Sequence, residues 1–145
     1  MEILKNLHSY FAYIVLFILI LATVNALIGW FTKKEFRFEK DLRLSLFALI
    51  LSHLQLVIGL IVFFVSVNGL KAIQTLGMDG LNSASRRLAV EHPFTNILAI
   101  ALITFGWSRH KKKTEDTAKF KSIGIFYGLG LLLILSRIPW GQWLG

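Results

Sequence analysis

Histidines are the residues of this chain best suited to chemistry: there are four of them, and there is no cysteine. The absence of cysteine excludes disulfides, Cys-ligated zinc and iron–sulfur clusters. His8 and His92 each open an apolar stretch, His53 lies inside another, and His110 sits in the basic run Arg109–Lys113. A neutral imidazole can ligate a haem iron or a smaller metal ion, or carry a proton. No glycine-rich nucleotide loop, no HExxH and no nucleophile–base–orienter set accompanies them. Which imidazoles can act together therefore depends on the elements that carry them.

Those elements read as membrane helices. Hydrophobic residues make up 55% of the 145 residues and the mean hydropathy is +0.65. Four apolar runs stand out: Tyr10–Phe31, Leu42–Val67, Pro93–Trp107 and Ser122–Trp140. A bilayer core about 30 Å thick needs roughly 20 helical residues. The third run is too short alone, so its helix is expected to begin within Ser83–Glu91, with Pro93 at a kink or first turn. The first run is expected to be a retained helix rather than a signal peptide. The expected fold is all-α: a transmembrane four-helix up-down bundle. It forms a single domain over 1–145, with helices at about 7–31, 42–67, 84–109 and 120–138.

Charge gives the orientation. Most of the 16 basic residues lie in two loops, 32–41 with adjoining Arg43, and 109–121. The positive-inside rule makes both loops cytoplasmic and places both termini outside. The net charge of +8 is thus a topology signal for a chain whose partner is the lipid bilayer, and no nucleic-acid partner is expected. A specific lipid-headgroup site in the basic run is the lesser reading. In this topology His8 and His92 share the outer depth, and His53 lies on the order of 15–20 Å below them. His110, among lysines at the inner face, is expected to be solvated.

Small residues line the faces below these histidines. Helix 1 carries Ala12, Val15, Leu19, Ala22, Ala26 and Gly29 on one stripe, and helix 2 carries Ser45, Ala48, Ser52, Gln55, Gly59 and Ser66. Helix 4 offers Gly124, Gly128 and Gly130. Close helix packing alone accounts for such stripes. They also leave room for a flat cofactor. Haem b needs one or two neutral imidazoles at one depth and cations for its propionates. His8 and His92 are the candidate ligands of the haem iron, and Arg137 and Arg87 the candidate propionate partners.

Each residue also has a structural reading. His8 would anchor a helix start and His92 would cap or brace one. Arg137 would snorkel to the interface beside Trp140 and Trp143. Glu91 would pair with Arg87 one helical turn away, or join His8 and His92 around a small metal ion. His53 would hold an interhelical hydrogen bond, touch haem or quinone, or relay protons.

The segments "LHSYFAYIVL", "LSHLQLVIGLIVFF", "RRLAVEHPFTNILAIALITFGWSRHKKK" and "LLLILSRIPW" resemble a family of small bacterial four-helix integral membrane proteins with a cytochrome-b-like label. The resemblance covers nearly the whole chain. Its pattern falls on His8, Gln55, Glu91, His92, Arg137 and Trp140, with His53 free to vary. It implies haem b and a bacterial cytoplasmic-membrane location. The leading expectation is a b-type cytochrome-like protein transferring electrons with quinol or a redox-protein partner, with a homo-oligomer as a further option. The rival is a non-enzymatic accessory or assembly subunit without cofactor. A small transporter or channel ranks behind both, because polar residues below Gln55 are few.

Overall fold

The computed structural model describes residues 2–144. The long helices are α1 (Glu2–Thr32), α2 (Arg43–Val65), α5 (His92–Lys111) and α6 (Asp116–Ser136). Short helices α3 (Leu70–Leu76), α4 (Ser83–Arg86) and α7 (Trp140–Leu144) complete the chain, and no strand occurs among the described residues. Four continuous segments are long and apolar enough to cross a membrane: Glu2–Thr32, Phe38–Leu76, Ser83–Lys111 and Asp116–Ser136. The third begins at Ser83, as its short apolar run requires. The first and fourth begin earlier than their apolar runs do, because polar residues such as Glu2 and Asp116 occupy the first helical turns, where a negative charge meets the helix dipole favourably.

The four long helices form a closed ring. α1 packs on α2 and α6, and α5 packs on α6 and α2. α1 and α5 are therefore diagonal partners across the bundle axis, and the α2/α5 seam is the loosest of the four. The expected small-residue stripe of α1 is the buried one: Val15, Leu19, Ala22, Ala26 and Gly29 all face inward. Small residues bring backbones close where no water drives association. At Gly106 a Cβ would lie 2.5 Å from the Cβ of Phe126, and at Gly130 a Cβ would lie 2.7 Å from Ile103. Glycine is what lets α5 and α6 approach so closely. Phe17, Val57 and Leu132 point outward with many other apolar side chains, as lipid contact demands.

Two π-helical turns shape the ends. The one over Arg87–Glu91 runs directly into Pro93. A proline ring clashes with the carbonyl four residues earlier and has no N–H to bond it. The wider turn, closed by His92 N–H to the Arg87 carbonyl, takes up that conflict. The expected ion pair between Arg87 and Glu91 does not form; Glu91 meets Arg137 instead, at 3.5 Å.

The other π-helical turn, Phe38–Leu42, buries Asp41, which reads in the sequence as an ordinary loop residue. Its carboxylate accepts from the Asn25 amide and from the Arg37 N–H, each at 2.8 Å. The Ser45 hydroxyl donates to the Asp41 carbonyl, and the buried Tyr127 hydroxyl donates to the Ser45 carbonyl, each at 2.8 Å. These bonds tie α1, α2 and α6 together at one end. Asp41→Ala should lower stability by about 1–3 kcal/mol, because it leaves two donors without a partner. Chemical unfolding of the detergent-solubilised protein measures this, and a loss below about 0.5 kcal/mol would show that the network contributes little.

Candidate functional site

The other end of the bundle is open along its axis. His8 is reached early in α1 and His92 is the first residue of α5. Because these helices are diagonal, both side chains reach across the bundle, and their ring centroids lie 6.1 Å apart at an interplanar angle of 78°. Gly59 of α2 makes room for His8: a Cβ there would sit 3.0 Å from its Cε1. The Gln55 amide donates to the His8 carbonyl at 2.7 Å, which joins α2 to α1 at this level.

His92 is held from two sides. Its Nδ1 lies 3.1 Å from the Arg137 carbonyl and 3.0 Å from the Asn96 amide nitrogen; the first contact takes a protonated Nδ1 and the second a bare one. The Arg137 carbonyl is free because Arg137 lies just past the end of α6, where helical carbonyls lose their partners. The Asn96 amide donates to the His92 carbonyl at 2.7 Å. α7 then folds back over α1. Trp143 donates from Nε1 to the Ser9 carbonyl at 3.3 Å and stacks on Tyr13 with centroids 4.4 Å apart.

Between these elements lies a cavity of about 370 Å³, with walls from α1, α2, α5 and α6. His8, His92, Ser52, Gln55 and Asn96 line it among mostly apolar neighbours, and Trp143 sits at its edge. His8 Nδ1, Ser52 Oγ and Gln55 Oε1 are buried with no hydrogen-bond partner. A polar atom left unpaired in an apolar setting costs about 1–3 kcal/mol, so three gathered around one cavity set it apart from ordinary packing. Below Ser52 the axis is filled by Leu19, Ala48, Ile103 and Tyr127. The cavity thus stops partway through the bundle and gives no continuous polar path, which removes the main support for a channel.

The other candidate residues go elsewhere. His53 is exposed on α2; its Nδ1–H donates to the Leu49 carbonyl at 2.8 Å, and Nε2 lies 3.2 Å from the Thr104 hydroxyl of α5. It bridges the α2/α5 seam and does not line the cavity. Arg87 is exposed and outside the cavity, and Arg137 is engaged by Glu91 and by the Ser136 carbonyl at 3.0 Å. Lys5 is the cation at the cavity wall. It lies one helical turn before His8 on α1, a spacing visible in the sequence.

Glu91, turned to Arg137, builds no small-metal site with the histidines: no group of three or more His, Cys, Asp or Glu suited to a metal ion occurs among the described residues. His110 is a correction. It is 2% exposed rather than solvated, with Nδ1–H donating to the Trp107 carbonyl at 2.6 Å and its ring against Trp107 and Phe36. Successive helical residues point about 100° apart, so Arg109 and Lys111 turn outward where His110 turns in.

Comparisons with known proteins give no matching family model, no matching curated protein and no matching solved structure.

The contacts rank the residues at this end. His92→Ala removes the partner of the Arg137 carbonyl and should cost about 1–3 kcal/mol. Glu91→Gln weakens only a partly exposed ion pair and should cost less than about 1 kcal/mol. Paired unfolding curves in one detergent measure both, and the reverse order would contradict the assigned roles.

Proposed function

We propose that the chain is a small b-type cytochrome-like membrane protein that holds one haem between His8 and His92. The observation that carries this reading is the convergence of two imidazoles from diagonal helices on a cavity whose buried polar atoms lack partners. The donor set fits the group. Imidazoles on opposite sides of one iron, with metal–nitrogen bonds of about 2 Å, have centroids roughly 6 Å apart, and those of His8 and His92 are 6.1 Å apart. The cavity's 370 Å³ lies within the roughly 300–1,000 Å³ of cofactor and ligand sites.

The chain's own residues prepare such a site. The Arg137 carbonyl beside His92 Nδ1 is the kind of second-sphere partner that usually accompanies metal-bound histidine, and with Nδ1 protonated it would leave Nε2 as the ligand. Gly59 clears the space for the His8 ring. Lys5 offers a cation for a propionate. The packed layer of Leu19, Ile103 and Tyr127 keeps the site dry from below.

Bound there, haem supplies a reversible one-electron couple. If His8 and His92 both held the iron, the site would suit electron transfer, with a membrane quinol or a redox-protein partner, rather than oxygen chemistry. The crowding of basic residues in loops 32–41 and 109–121 supports placing the Asp41 end on the cytoplasmic side and the His8 end outside.

The test is a reduced-minus-oxidised absorption spectrum of the detergent-purified protein expressed with ample haem. The wild type should show Soret and α bands, and His8→Ala and His92→Ala should each lose them while His53→Ala retains them. A colourless wild-type protein would overturn the reading in favour of a cofactor-free accessory subunit.

A further inference from the structure

The end of the bundle opposite His8 carries an open depression rimmed by lysines, which the haem reading does not use. We propose that it binds the phosphate headgroup of an anionic phospholipid. Lys111, Lys113 and Lys119 line it together with His110, above a floor that includes Phe36 and Leu42.

Three observations distinguish this pocket from a merely basic surface. First, the lysines are free of acidic partners: among the described residues, none of the three lies within salt-bridge distance of a carboxylate. Second, the floor is fixed. Phe36 packs against Phe120 at 4.9 Å and against the buried His110 ring at 5.5 Å, and the Lys119 ammonium sits 5.5 Å over the same Phe36 ring. Third, the pocket lies at the border between the α5–α6 loop and the apolar helix surface. The acyl chains of a phospholipid bound there by its phosphate would run past the exposed Phe38, which also lines the pocket.

The chemistry matches a phosphodiester. Its oxyanions take N–H donors from several ammonium groups, and basic pockets between membrane helices are recurrent headgroup sites. The packed Phe36–His110 floor holds the helix ends that present Lys111 and Lys119, with Lys113 in the short loop between them, so part of the ordering is complete before binding. A zwitterionic headgroup would bring its own cation into the cluster of lysines and lose most of the gain.

Native mass spectrometry of the full chain, after exchange into mixed micelles, tests this. The probes are phosphatidylglycerol, phosphatidylcholine and inorganic phosphate. Phosphatidylglycerol should be retained roughly tenfold more than phosphatidylcholine, and the Lys113→Gln/Lys119→Gln double variant should lose that preference. Lys33→Gln/Lys34→Gln, which lowers the charge of the same end outside the pocket, should keep it. Equal retention of the two lipids, or equal loss in both double variants, would overturn the site. Inorganic phosphate that displaces the lipid at equal concentration would overturn the lipid assignment. Unchanged unfolding midpoints in the double variants establish that any loss is one of binding.

Discussion

Inside a bilayer no water is present to satisfy a buried polar group, so every such group must find its partner within the bundle. At the Asp41 end this holds in full. The Asp41 carboxylate, Asn25, Ser45 and Tyr127 form one chain of bonds that links three helices. At the His8 end it does not, since three buried polar atoms stand open around one cavity. The contrast within one small protein is what makes the cavity a candidate site rather than a packing defect.

The backbone around the cavity supports that distinction. Glycines at 106 and 130 draw α5 and α6 into close contact deep in the bundle, while α2 and α5 stay looser. Pro93 forces a wider turn just before His92, and irregular helical turns of this kind recur at functional sites. Arg137 in turn meets Glu91 through its guanidinium and the His92 ring through its carbonyl.

Much of this was legible beforehand. The buried stripe of α1, the start of the third span within Ser83–Glu91, and the shared depth of His8 and His92 all follow from periodicity and helix length. The misses have one cause: they depend on contacts between elements. Asp41 and His110 look like solvated neighbours of lysines until the chain's turns bury them. Lys5 becomes a cavity residue only through the crossing of α1 over α2. Arg87 goes without Glu91 because Arg137, from the end of α6, takes that carboxylate. Nothing in the local sequence around His53 tells that its bond to Thr104 lies on the outer face of the α2/α5 seam.

The proposed haem would lie between two imidazoles whose planes are nearly perpendicular, at 78°. The electron paramagnetic resonance spectrum of the oxidised, haem-loaded protein reads this directly, because the relative orientation of axial imidazoles controls the anisotropy of a low-spin iron. The account predicts a strongly anisotropic low-spin signal of the kind given by crossed imidazole planes. A high-spin signal would contradict it, because it would mean that one of the two histidines is not a ligand.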